Sequence, residues 1–526
     1  MSTTQTQTIS YPLTQFGSHP DNISALIPSD NTSLRQHGDG LVRKSARLQQ
    51  VLIILQLFVV TFTASIINGL VIVGLPTITE DLQLPSSLAF WPASVSGLAT
   101  ASTLLLAGSV ADSIGPRWVE LVGCFMSGAL MIGQGVSRTG EELVAMRAIQ
   151  GVGVALHLAS AVSIITQTFA PGKGRNMAFS MLGLSQPAGF SVGLVLGGVL
   201  VDLAGWRVGW YMSGGLTLVF GVIGLWALPK SQDTRSVAQM LSDLRHKSDW
   251  IGAMLASTFM ALLCYSLAVI SADVNRVKQA DCIVLLCLTA VALPAFLTWM
   301  HRQVRLGQPA LIPNSLWKNA TFSSICAAIA LSFAVINSME LFASLFFQEI
   351  QELEALQASI RILPSLVVGI LTNLVVGAVV HKVPAIWIVT FTSILCAGSP
   401  LLMAVIQPYW PYWGSAFVAQ LLQPVSGDAL FTVGLIIITE NFSEDTQALA
   451  GAVFNTAAQF GSALGIAILQ VISTMVTQEQ NTKKKEEALM AGYRASFWTM
   501  FGFMLLCTVI GLFGLRRAGR IGLKRD

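Results

Sequence analysis

GSVADSIGPRW, residues 108–118, is a charged, turn-forming break between two long apolar runs, and GAVVHKVPAIW, residues 377–387, repeats its outline much later in the chain. Each copy has a glycine, a valine two residues on, a polar cluster and a proline. Glycine and proline punctuate helices, and Asp112, Arg117, His381 and Lys382 are groups that hydrocarbon rejects. Each copy therefore reads as a short polar loop between two membrane spans. Two copies of one loop divide the chain into two related halves, the arrangement of a secondary carrier.

Composition agrees with that reading. Of 526 residues, 53% are hydrophobic and 11% charged, against about 25% charged in an ordinary soluble domain. No soluble core hides that much apolar surface. Apolar runs occur at 51–75, 87–111, 118–136, 143–169, 176–201, 208–229, 250–272, 282–300, 319–348, 362–380, 385–406, 414–439, 447–477 and 495–515. Most are long enough to cross about 30 Å of hydrocarbon at 1.5 Å per residue. Backbone polar groups in lipid must be satisfied within the segment, so each run is expected to be a helix, and the runs are too long for barrel strands. The expected fold is an all-α polytopic membrane protein with fourteen spans, two six-helix halves and two inserted helices. The implied organisation is a disordered polar tail over 1–48, a first half over 49–230, a linker and inserted pair over 231–305, a second half over 306–516, and a basic tail over 517–526.

Charge sets the expected orientation. With the N-terminus inside, the inner loops collect twenty Lys and Arg and the outer loops eight, which puts both termini in the cytosol. The acidic loop at Glu444 and Asp445 and the lysines at 483–485 run against this trend. Asn22 and Asn31, in glycosylation-type triplets, should then stay unmodified. The scattered cations, net charge +3, make no face for nucleic acid. The seven cysteines lie in or beside apolar runs with no CxxC pair, and read as small buried hydrophobes. No phosphate-cradling GxxxxGK[ST] stretch, spaced metal-ligand set or nucleophile–base constellation is present. The expectation is a chain with no cofactor, metal or enzymatic activity that is driven by a gradient and works as a monomer in the bilayer.

Several motifs resemble one family. Gly108, Val110, Ala111, Asp112, Gly115 and Arg117 match its loop motif, with Ser113 and Pro116 where basic residues are usual. RAIQGVG supplies Arg147, Gln150, Gly151 and Gly153 of its fourth-span motif. GFSVGLVLGG supplies Gly189, Gly193, Gly197 and Gly198 of its fifth-span antiporter motif, with Leu194 in place of the proline. The first-span motif is reduced to Gly74, Leu75 and Pro76, with Ile67 where a proton-binding acid would fall. From residue 48 to 516 the chain resembles the fourteen-span drug:H+ antiporters of the major facilitator superfamily. The likeness is to fungal members, which include aminotriazole and boron exporters and low-affinity ammonium transporters. The resemblance implies alternating access, a latch between the halves made by the Gly108–Arg117 loop, and a hinge in the glycine helix next to Pro187. Because His381 stands in the second copy, that latch is expected to be asymmetric.

Ionisable groups in mid-membrane are costly and so mark function by default. Arg147, Gln150 and His157 fall within about 80° of arc on one helix, which predicts a polar stripe on a cavity wall. The plain alternative is helix-to-helix hydrogen bonding. Glu340 and Asp428 are acids well inside apolar runs, suited to loading and releasing a proton; Asn337 and Ser426 are their expected local partners. Asn68, Gln186, Asn373, Asn455 and Gln459 are uncharged polar groups within spans, and Asn455 and Gln459 share a face. Tyr409, Trp410, Tyr412 and Trp413 are expected to anchor at an interface. The function implied is proton-coupled efflux of a small organic molecule across the plasma membrane, with the vacuolar membrane as the other compatible site. The alternatives are carriage of a small inorganic solute such as ammonium or borate, and a membrane sensor that moves nothing.

Overall fold

The computed structural model describes residues 30–85, 88–89, 91–170, 173–229, 249–272, 274–308, 310–312, 314–442, 444–480, 484–516 and 518–519. The glycosylation-type triplet at Asn22, residues 231–248 of the linker and the last residues of the basic tail lie outside them. The chain divides into residues 1–49 and 50–526. In the first unit, residues 30–49 are helical in backbone, where composition predicts disorder. Adding turns to an existing helix needs no new nucleus, which lowers the demand on local sequence.

The long helices are α1 (Asp30–Asp81), α2 (Trp91–Ile114), α3 (Pro116–Val136), α4 (Gly140–Thr168), α5 (Lys173–Leu203), α6 (Arg207–Ala227), α7 (Trp250–Ala272) and α8 (Ala280–Arg305) in the first part of the chain. They are followed by α9 (Ala320–Leu345), α10 (Ala355–Val379), α11 (Ala385–Val405), α12 (Ala416–Leu422), α13 (Val425–Asn441), α14 (Glu444–Glu479) and α15 (Lys485–Gly514). Among the described residues, fourteen segments are long and apolar enough to cross a membrane, with α12 and α13 sharing one. The break between those two lies at Gln423 and Pro424, because Pro424 has no N–H to continue the ladder. Six of the seven cysteines are buried as expected; Cys287 is exposed.

The two halves reuse the same contacts. α3 lies on α6 as α11 lies on α15. α5 packs on α1 through Gly189, Gly193 and Gly197: a Cβ on the first two would fall on the carbonyl oxygens of Phe62 and Ile66, and one on Gly197 would lie 2.9 Å from the Cα of Leu70. In the second half, Gly461 and Gly465 of α14 meet the backbone of α9 at Ala330 and Ala334 in the same way. Lipid offers no hydrophobic drive between helices, so close backbone approach through small residues supplies the packing energy.

The inserted pair has a definite place. α7 packs on α8, and also on α2 of the first half and α14 of the second. Phe259 meets Phe460 with ring centroids 6.2 Å apart, and Ser257 donates to the carbonyl of Ser102. The insert therefore covers the α2–α14 seam between the halves. Its root is Asp249, a buried carboxylate just before α7. Asp249 accepts from Gly252 N at 2.9 Å, Trp299 Nε1 at 2.9 Å and Leu311 N at 3.2 Å. Asp249→Ala strands three donors and removes a helix cap, so it should cost about 1–3 kcal/mol. A thermal-unfolding midpoint equal to wild type would contradict this.

One end of the bundle is sealed across the halves. There Ser344 Oγ donates to Ile72 O at 3.1 Å, Gln348 Nε2 donates to Val73 O at 3.0 Å, and Asp202 Oδ2 accepts from Leu356 N at 3.1 Å. A Cβ on Gly198 of α5 would lie 2.7 Å from the Cα of Leu356. Toward the other end, where the α2–α3 turn lies, a Cβ on Gly108, Gly183, Gly377 or Gly451 would meet open space. Those glycines sit on α2, α5, α10 and α14, the helices that meet at the two seams.

Candidate functional site

The expected polar stripe on α4 is divided among three partners. Arg147 is fully buried, and its Nη2 donates to Asn68 Oδ1 on α1 at 3.0 Å. Its Nε and Nη1 have no hydrogen-bond partner among the described residues. Asn68 is exposed although it lies in mid-span, so it faces the open interior, since lipid rejects an amide. Gln150 does not line that interior. It accepts from Gln134 Nε2 of α3 at 3.0 Å, and Gln134 Oε1 accepts from Trp210 Nε1 of α6 at 2.6 Å.

His157 belongs to a buried cluster around Glu120, a residue that sequence reasoning passed over. Glu120 is fully buried on α3. Its Oε1 takes Gln56 Nε2 at 2.8 Å and His157 Nδ1 at 2.8 Å, and its Oε2 takes Ser160 Oγ at 2.8 Å. His157 Nε2 lies 2.8 Å from Thr61 Oγ1 on α1. The signal in the sequence was an acid just inside an apolar run, hidden by its closeness to the loop.

In the second half, the α12–α13 break puts Asp428 in the first turn of α13, where free helix N–H groups favour a carboxylate. A Cβ on Gly369 would lie 2.7 Å from Asp428 Oδ2, so a larger residue there would have to displace the carboxyl. Asn373 of α10, one turn beyond Gly369, donates to Gly369 O at 3.2 Å and accepts from Thr432 Oγ1 at 3.0 Å. Glu340 of α9 is buried, and α9 meets the helix break through Gln423 Nε2, which donates to Ile336 O at 3.2 Å. The expected local partners are otherwise engaged. Asn337 donates to Phe333 O at 3.0 Å, and Ser426 joins Ser332 at 3.1 Å and Ser393 at 3.3 Å. Asn373, Asp428, Asn455 and Gln459 are partly exposed; Asn455 Nδ2 also donates to Gly451 O at 3.0 Å.

In the α2–α3 loop, Gly115 has φ +101, which favours glycine, and Pro116 opens α3. Arg117 Nη2 donates to Leu225 O at 2.6 Å. It thus caps the end of α6 in its own half and does not reach toward the other half. Gly108 is partly exposed, and the Asp112 side chain lies outside the described residues. On α5, Pro187 lies within the helix and Gln186 is exposed. At the sealed end, Tyr409 and Trp413 are exposed, as an interface anchor would be, but Tyr412 is turned inward. Arg361, also unforeseen, stacks on Phe347 and Tyr412 and donates to Gln351 Oε1 at 2.6 Å. Burial pushes the Tyr412 hydroxyl pKa up to about 12, so at neutral pH it stays a donor to Arg361 O, at 2.8 Å. Among the described residues, no group of three or more His, Cys, Asp or Glu is placed to hold a metal.

Two related halves, a seal at one end and polar side chains facing an interior open at the other are the parts of a carrier. The sequence model of the Major Facilitator Superfamily matches residues 57–420. The chain belongs to that superfamily. It is a fourteen-span, multi-pass membrane transporter and not an enzyme. It is 38% identical to the MFS-type transporter 1 of Pyricularia oryzae, across 96% of this chain and 90% of that one. It is 27% identical to the methylenomycin A resistance protein of Bacillus subtilis, across 80% and 87% respectively. Among solved structures, a bacterial homologue of the human lysosomal transporter Spinster, inward-facing and unoccupied, matches with a TM-score of 0.60 at 14% identity. That match covers 89% of this chain and 97% of the other.

Arg147 offers a test that separates function from stability. A buried guanidinium with two unpaired donor groups costs the fold several kcal/mol, and replacing a buried charge by an apolar side chain often stabilises. Arg147→Met is expected to melt at or above the wild-type temperature while transport falls at least about tenfold, the loss of one charged hydrogen bond. A variant that melts lower and transports normally would make Arg147 a structural tie.

Proposed function

We propose that the protein exports a small organic molecule in exchange for protons by alternating access, with Asp428 and Glu340 as the coupling carboxyl groups and Arg147 and Asn68 on the opposing wall. The observation that carries this reading is the presence of two carboxyl groups inside spans of the second half, Glu340 on α9 and Asp428 in the first turn of α13 after the α12–α13 break. Asp428 is partly exposed. In this reading such a carboxyl carries a proton and exchanges it as the cavity changes sides. The resistance protein of Bacillus subtilis, similar along most of both chains, supports export of organic compounds over carriage of an inorganic ion. In this reading both termini lie in the cytosol and the protein acts as a monomer in the plasma membrane, with the latch loop at the cytosolic face.

The test has two stages. Cells lacking their own exporters and expressing the chain are screened for growth on a toxin panel, and a protective compound is then followed in proteoliposomes. Export that collapses when the pH gradient is dissipated is the expected result. Protection against no compound, or flux indifferent to the gradient, would overturn export or coupling respectively.

A further inference from the structure

At the sealed end, two loops of the second half border an open pocket of about 480 Å3. It lies between residues 351–354, which join α9 to α10, and residues 406–415, which join α11 to α12. Gln351, Arg361, Pro408, Tyr409, Trp410 and Tyr412 line it. Neutral contacts hold its walls together: Gln351 Nε2 donates to Pro408 O at 2.9 Å, and the Tyr412 hydroxyl donates to Arg361 O at 2.8 Å. Glu352 holds φ +53, a conformation that side-chain-bearing residues rarely adopt and that persists where the surroundings fix it.

The guanidinium is not spent on that construction. Arg361 stacks on Phe347 and Tyr412, 5.6 and 5.4 Å from the ring centroids. Of its nitrogens only Nη1 is hydrogen-bonded among the described residues, to Gln351 Oε1. No carboxylate of the described residues comes within 4.0 Å of it. Glu349 accepts from the Tyr493 hydroxyl, and Glu352 and Glu354 are exposed. A second cation stands behind the aromatic loop: Arg494 Nη2 donates to Ile406 O at 2.8 Å and to Gln407 Oε1 at 3.0 Å, and it too has no carboxylate of the described residues within 4.0 Å. Gln351 has both ends of its amide engaged. The Tyr409 hydroxyl and the Trp410 indole N–H have no hydrogen-bond partner among the described residues. What the pocket leaves free is one edge of a guanidinium, an N–H and a hydroxyl, set beside flat apolar faces.

We propose that this pocket binds a small organic anion with a flat aromatic body, its carboxylate or sulfonate group on Arg361 and its ring against Tyr409 and Trp410. A guanidinium already fixed by stacking offers its remaining N–H groups to an oxyanion with little further loss of freedom. Aromatic walls hold a flat ring, and a few placed donors orient it. The site lies against the seal, since Phe347, on which Arg361 stacks, precedes Gln348, the donor to Val73 O. It is separate from Glu340, Asp428 and Arg147, and it stands whether or not transport is coupled to protons.

The test uses the purified full chain in phosphatidylcholine nanodiscs at neutral pH, with 2-naphthoate as the probe and protein-free nanodiscs as the blank. Equilibrium dialysis is expected to show saturable binding. The uncharged 2-naphthamide should bind at least about tenfold more weakly, the loss of a charged hydrogen bond, and acetate, which lacks the flat body, should not displace the probe. Arg361→Gln should weaken 2-naphthoate binding at least about tenfold. Tyr409→Ala, which removes a ring 83% exposed, should weaken it about threefold or more. If Arg361→Gln does not fold, the acid and amide probes on the wild-type protein decide the charge and Tyr409→Ala decides the place. Equal binding of acid and amide overturns the proposal, as does binding indifferent to Tyr409→Ala. Binding that survives in Arg361→Gln and vanishes in Arg147→Met would put the anion in the interior and overturn it too. Loss of 2-naphthoate binding when phosphatidylglycerol is added to the nanodiscs would give the pocket to a lipid headgroup and overturn the flat-body assignment, whereas unchanged binding supports a free organic anion.

Discussion

Gly193→Ala is expected to leave little monodisperse protein, although it adds one methyl group to a helix. That methyl would fall on the Ile66 carbonyl oxygen and lie 2.7 Å from the Ile66 Cα. Backbone of a neighbouring span cannot rotate away as a side chain can, so α1 and α5 must separate. Over-packing costs about 1–3 kcal/mol where side chains yield, and a backbone obstacle puts this site at or above the top of that range. The separation would reach beyond stability, because α1 holds Asn68 against Arg147 and its carbonyls form the seal. Gly183→Ala on the same helix is the control. Its methyl enters open space, and alanine is the better helix former by about 1 kcal/mol, so that variant should be as stable as wild type or more so. Size-exclusion profiles and melting temperatures of the two compare the same chemical change at two heights of one helix. Equal behaviour would mean that α5 is not held by backbone contact.

Asp428→Asn is expected to express and fold normally while losing transport driven by a pH gradient. The amide has the shape of the carboxyl, so it fits the space left by Gly369. What disappears is the site for a proton. Removing one charged hydrogen-bonding group removes about 1.5–3 kcal/mol of interaction, which corresponds to a loss of tenfold or more in driven flux. Exchange of a protective compound at equal pH on both sides should persist, because cavity shape is unchanged. Full pH-driven activity in Asp428→Asn would remove this residue from coupling and leave Glu340 as the carboxyl to test.

The α4 stripe marks the limit of periodicity. Arg147, Gln150 and His157 do share a side of the helix, but that side meets α1 at one height and α3 at others, so their partners are Asn68, Gln134 and Glu120. Periodicity gives the angle around a helix and is silent on what stands opposite. Glu120, Asp202 and Asp249 escaped notice for a related reason. Each lies at the edge of an apolar run, where an acid reads as the start of a loop, and each is held by donors from distant segments.

The number of spans, the two-half plan and the place of the inserted pair were determined by the sequence alone. The length of an apolar run and the satisfaction of backbone polar groups in lipid are local requirements, met or failed within some twenty residues. The tertiary structure decided that the insert covers the α2–α14 seam, that Arg117 caps α6, that the bundle is sealed at one end, and that Glu120 and His157 meet in one buried hydrogen-bonded cluster. Those facts depend on which helices come within hydrogen-bonding distance. In a medium that rewards no particular contact by hydrophobicity, that is settled by backbone approach at glycines and by a few buried polar pairs that only the assembled bundle brings together.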